Sequence, residues 1–216
     1  QSIHTTGTYR DHVEVLVTAA GTLNRITLRE GSTSFVTGTI FTFPNLIVAA
    51  NDLIIIHTDA VGHPVTNLTA DTCETTKTQA TGGDSVATAW DCSITDNGLV
   101  DTDQTLLLVD SAGAAVLSGV YFTNNDGTGT AGALTALNFL LTNTGWSPNA
   151  TYTIDGVGNP NMQTIGVVNT CSSANTIDPF GASTTMQRTV GSNNKTKADW
   201  VCATGTFGAA NPAPDT

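Results

Sequence analysis

Leu46-Ile47-Val48-Ala49-Ala50-Asn51-Asp52-Leu53-Ile54-Ile55-Ile56-His57-Thr58 is the most apolar stretch of the chain. It is rich in β-branched residues, has no proline, and is broken once, at Asn51-Asp52, a dipeptide that favours turn or bulge geometry. Periodicity alone does not separate a short buried strand from a short buried helix. The β-branched density and the lack of long straight-chain residues select strand. One buried strand on each side of Asn51-Asp52 is expected, as the pair on which the rest packs.

Upstream, Gln1 to Thr8 is small and polar, an arm expected to be flexible unless something pairs with it. Tyr9 to Val17 alternates, with Val13, Val15 and Val17 on one face and His12, Glu14 and Leu16 on the other, the pattern of a half-buried strand. Ala20-Gly21 reads as a turn, Leu23 to Arg29 alternates again, and Ser34 to Phe43 is a strand closed by Pro44. Downstream, Asp59 to Thr88 is a long polar passage, a length of loop usually tied to function or mobility. Gln104 to Asp110, Ser111-Ala112-Gly113 and Ala114 to Phe122 read as a hairpin. Leu134, Leu137, Leu140 and Leu141 recur at helical spacing, and Gly145 ends that helix. Short strand candidates follow at Thr164 to Val168 and within Thr184 to Ala203. The predicted architecture is an all-β Greek-key sandwich with one short helix and long loops. The expected layout is an arm at 1–8, one domain at 9–212 with a loop insertion at about 59–88, and a tail at 213–216.

Composition bounds the function. Only 12% of residues are charged, about half the usual globular share, against 40 threonines. The polar surface is therefore mainly hydroxyl and amide, which suits strands and secreted proteins. Seven Lys+Arg against 18 Asp+Glu give a net charge of −11, which repels phosphate backbones and argues against a nucleic-acid partner. No apolar run is long enough to span a bilayer and no signal peptide is seen, so a mature soluble product without membrane insertion is expected. Cys73, Cys92, Cys171 and Cys202 are widely separated and form no Cys-x-x-Cys pair, so two disulfides are expected rather than zinc. Three connectivities exist, of which local pairing, Cys73 with Cys92 and Cys171 with Cys202, is preferred because each brackets a loop-rich segment. Asn67, Asn149 and Asn194 begin glycosylation sequons. Secretion or display at a cell surface is the expected location.

Five stretches, in order, resemble the lamin tail domain family. Asp11-His12-Val13-Glu14-Val15 is similar to its opening strand, and Leu23-Asn24-Arg25-Ile26-Thr27-Leu28 to the short strand that follows. Phe43-Pro44 with Val48 to Ile56 resembles its proline-containing link and strand pair, with Asn51 where glycine is usual. Asp103 to Val116 resembles its hairpin. Thr185-Met186-Gln187-Arg188, Asp199-Trp200 and Thr206 to Pro212 resemble its close, with Met186 for leucine and Phe207 for proline. The resemblance implies an immunoglobulin-like sandwich that serves binding or assembly rather than catalysis, and it carries over no catalytic residue.

Several clusters of side chains have the chemistry of a site. Asp96, Asn97, Asp101 and Asp103 cluster as hard-cation ligands do, without EF-hand spacing, so calcium is the one candidate ion and no other cofactor is expected. Asn124 to Gly127 is a second such loop. His57-Thr58-Asp59 with Gly83-Asp84-Ser85 holds the residue types of a hydrolytic triad, without a nucleophile elbow. His57 at a strand end reads as a surface residue. Glu14, Glu30 and Glu74, the only glutamates, also read as surface residues. Trp90, Trp146 and Trp200 read as core before a sugar-stacking platform. The leading expectation is a non-enzymatic extracellular structural protein, a glycosylated filament or surface subunit that self-associates when its arm joins a neighbour's sheet edge. A carbohydrate- or calcium-dependent adhesion module is the alternative, and a secreted hydrolase the third.

Overall fold

A computed structural model describes residues 2–4, 12–31, 38–58, 70–77, 88–94, 99, 104–123, 131–143, 145, 167–168, 184–189 and 199–204. Fourteen strands and one helix lie among them. They are β1 (Ser2–His4), β2 (His12–Leu16), β3 (Gly21–Thr22), β4 (Thr27–Glu30), β5 (Thr39–Thr42), β6 (Ile47–Val48), β7 (Leu53–His57), β8 (Thr72–Cys73) and β9 (Trp90–Ser93), then β10 (Gln104–Val109), β11 (Val116–Thr123), α1 (Ala131–Thr142), β12 (Val167–Val168), β13 (Thr184–Arg188) and β14 (Trp200–Thr204). A seven-stranded sheet runs β14-β13-β1-β2-β7-β9-β8 and a five-stranded sheet β12-β11-β10-β4-β5, with β3-β6 as a separate pair. The fold is an all-β sandwich with one short helix.

The core fills the space between the two large sheets. Val13, Ile54, Ile56 and Cys92 of one sheet share a cluster with Leu28, Phe41, Leu106, Leu108 and Val120 of the other. Such side chains each contribute about 1.5–3 kcal/mol when buried. All six residues of β10 are buried, because α1 covers the outer face of the sheet that β10 centres. Thr105 Oγ1 donates to the Ala133 carbonyl at 2.9 Å, which ties helix to strand. The leucine spacing thus marks a helix as expected, and its end is set by Asn143 N donating to Phe139 O and Gly145 N to Leu140 O.

Gly31 permits this helix to sit so close. A Cβ there would run into Ala136 and stand 2.9 Å from the Gly132 carbonyl oxygen. Backbone does not yield cheaply, so Gly31→Ala is expected to destabilise by about 2 kcal/mol in urea denaturation. An unchanged midpoint would contradict this packing.

Three expectations need correction. The two apolar arms around Asn51-Asp52 do not pair with each other: β6 joins β3, while β7 becomes an inner strand between β2 and β9. Ile47 is 73% exposed because a two-residue strand on a small separate sheet has only one covered face. The turn itself is as read, with Asn51 at φ 70°, the left-handed region where asparagine is tolerated in place of glycine. Second, Gln1 to Thr8 is not all flexible arm, since Ser2–His4 is a strand paired on both sides. Third, β2 is buried on both faces over its first three residues, although Leu16 is 50% exposed. Its alternation holds, but His12 and Glu14 are as buried as Val13.

Candidate functional site

The second face of the seven-stranded sheet carries a buried polar layer. Register sets it: His12 stands opposite His57, Glu14 opposite Ile55, and on the other side of β7, in parallel, Ile55 is level with Asp91 and His57 with Ser93. Alternation therefore puts His12, Glu14, Ile55, His57, Asp91 and Ser93 on one face. His12, Glu14, His57 and Ser93 are each 1% exposed and Asp91 2%.

The centre of the layer is a histidine–carboxylate pair. His57 Nε2 lies 2.6 Å from Asp91 Oδ1, both side chains shielded from water. This hydrogen bond fixes the orientation of the imidazole. The His12 ring meets His57 edge-on, centroids 4.6 Å apart at 76°. Ionisable groups are costly to bury alone, and this pairing offsets that cost. The expected surface position for His57 is thus corrected: its ring is packed against the His12 ring and Asp91 on a covered sheet face. Glu14, also expected at the surface, is corrected too, since it stands on the same covered face at 1% exposure. A histidine–carboxylate pair can orient an imidazole as a base, but in this conformation the pair is sealed from solvent.

A second node ties the turn before β7 to β9 and to the segment after β8. Asp52, 6% exposed, accepts at Oδ2 from Trp90 Nε1 and Ala49 N, both at 2.9 Å, and at Oδ1 from Lys77 Nζ at 2.5 Å. The Lys77 ammonium also lies 5.9 Å from the centre of the Trp90 ring. Burial alone would raise the Asp52 carboxyl, but the Lys77, Ala49 and Trp90 hydrogen bonds with the Lys77 charge outweigh it and hold it at about 2, against 3.8. A folded-state pKa below the unfolded one contributes stability above about pH 4 and loses it as pH falls to about 2. Lys77 is 38% exposed, so water screens the pair and the contribution at neutral pH is about 1 kcal/mol. Asp52→Asn is expected to flatten the acid limb of a stability-versus-pH curve between pH 4 and 2. An acid limb identical to that of the parent would remove Asp52 from the account.

The disulfide between Cys73 and Cys92 is formed, across directly opposed positions of β8 and β9. The expected pairing of Cys73 with Cys92 is thus present. Cys171 lies outside the described residues, and with it the second expected bridge to Cys202. Asp96, Asn97, Asp101 and Asp103, the loop at 124–127, the sequon residues Asn67, Asn149 and Asn194, and Asp59, Asp84, Ser85 and Trp146 also lie outside them. Among the described residues no group of three or more His, Cys, Asp or Glu is placed to hold a metal ion. Trp200 belongs to the core cluster, and Trp90 is half-buried against that cluster. No helix among the described residues is long and apolar enough to cross a membrane.

The residues that sequence reasoning missed are Asp91 and Lys77. Asp91 sits between Trp90 and Cys92, and no local pattern points across the sheet to His57. The comparisons with curated proteins and with solved structures found no match. Residues 2–202 match a family described as a protein second domain, and the chain belongs to that family.

Proposed function

We propose that the chain is a non-enzymatic structural module of an extracellular assembly, an immunoglobulin-like sandwich of the lamin-tail kind that associates with copies of itself through the segment Ser2–His4. One observation carries the reading. β1 is laid between β2 and β13, antiparallel to both, so Ser2–His4 forms an inner strand of the largest sheet. Strands that complete a sheet by main-chain hydrogen bonds are a recurrent means of joining chains. The disulfide supports an oxidising compartment, where such bridges persist. The solvent-sealed histidine–aspartate pair supports a structural role for the ionisable groups.

Proline at position 3 cannot donate to a ladder and is poorly tolerated in an inner strand. Ile3→Pro is expected to abolish multimers in light scattering and electron microscopy, while Ile3→Val keeps them. Multimers that persist undiminished in Ile3→Pro, with circular dichroism unchanged, would refute the role of this segment.

A further inference from the structure

Among the described residues, β1 is the only strand joining the β13–β14 hairpin to the remainder of its sheet: β13 pairs with β14 and β1, and β2 with β1 and β7. Ser2 stands opposite Glu14 on one side and Gln187 on the other, Ile3 opposite Val13 and Met186, and His4 opposite His12. Val13 is a fully buried core residue, so the slot borders the interior as well as two ladders. Withdrawing β1 would leave a gap one strand wide, about 10 Å between the flanking strands, with main-chain groups unpaired on both sides.

Two features decide what refills such a gap. The first is strength. A segment added to the outer edge of β8, β14, β5 or β12 gains one ladder, whereas this slot offers two, so a Ser2–His4 segment outside its own sheet finds its best complement in the same slot of another copy. The second is ease of release. Three residues make few main-chain bonds, each with a net worth of about 1 kcal/mol, so β1 belongs to the low-stability end of the fold. Exchange between copies then breaks and remakes the same contacts, and local concentration sets the balance.

We infer that in the assembled state the slot between β2 and β13 is filled by the Ser2–His4 segment of a second copy of this chain. This rests on the assembly reading above and replaces addition at an outer edge with exchange at an internal position. Residues 5–11 connect β1 to β2 and reach at most about 25 Å. Successive copies are therefore held within that distance, one chain's β2 to the next chain's slot. One-way exchange builds an open polymer and reciprocal exchange a closed dimer.

The test uses two full-length variants, Ser2→Cys and Gln187→Cys, mixed in equal amounts, allowed to assemble and oxidised under mild conditions. Directly opposed antiparallel positions lie within disulfide reach. The expected result is an interchain link containing both variant cysteines, visible on a non-reducing gel and located by mass spectrometry, at least tenfold more abundant than a link between Ser2→Cys and Thr42→Cys on the edge strand β5. Assemblies that form without the Ser2–Gln187 link, or that link position 2 to position 42 instead, overturn the exchange inference and leave the assembly reading standing. Dispersed single chains at all concentrations overturn both.

Discussion

Replacing Asp91 by alanine is expected to lower the unfolding free energy by about 3 kcal/mol, the largest single-residue effect foreseen for the described residues. His57 would remain buried at 1% exposure with its carboxylate gone, beside the His12 ring. The cost comes from stranding one partner rather than from the worth of the pair. Asp91→Asn, which keeps a hydrogen-bonding oxygen of the same shape, is expected to cost only about 1–2 kcal/mol. The double variant His57→Leu/Asp91→Leu is expected to recover much of the loss, because removing both partners of a buried hydrogen-bonded pair leaves neither one stranded. Urea denaturation of the three variants forms the comparison. If Asp91→Ala and Asp91→Asn unfold at the parent's midpoint, the layer is not the buried, paired structure described.

Removing the Cys73–Cys92 bridge ranks second. It closes a loop of sequence separation 19, and the chain-entropy estimate for such a loop is about 3 kcal/mol. For a chain of this length that corresponds to a melting point lower by about 10 °C. The sandwich should nevertheless persist in Cys73→Ala/Cys92→Ala, because β7, β2 and the five-stranded sheet do not depend on β8 for their pairing. The loosening is local. Trypsin is expected to cut after Lys77 faster in the double variant, since β8 then rests on its short ladder with β9 and the Lys77–Asp52 ion pair. A parent-like melting point together with parent-like cleavage would show that the bridge constrains nothing.

Much of the fold was legible because it is written locally. Leu53–His57 reads as strand from β-branched density, Ser111-Ala112-Gly113 as the turn of β10 and β11, and Leu134, Leu137, Leu140 and Leu141 as the stripe by which α1 packs on the core, Leu137 and Leu140 fully buried. Gly113 is at φ 75°, and Asp110 caps the same turn by accepting from Ala114 N and Ala115 N. Those amides, Ala115 first, hold the Asp110 carboxyl below its usual value.

The candidate site was not legible, because it depends on which strands become neighbours. β7 and β9 pair in parallel, and a parallel pair needs a long connection whose course no short pattern specifies. Without that pairing Asp91 cannot be assigned to His57, 34 residues away. His12 and Glu14 misled for a related reason. Alternation reports two faces, but only tertiary structure decides whether the polar one meets water or a second layer. Asp52 was read correctly as a turn residue, yet its partners lie 25 and 38 positions along the chain.

The placement of β1 also sets a timetable. Its neighbour on one side, β2, emerges from the ribosome almost at once, but its neighbour on the other, β13, follows only after position 184. At about 5–20 residues per second that is a wait of roughly ten to forty seconds. Throughout it the nascent chain holds one flank of β1 open, and crowded polysomes would bring many such flanks together.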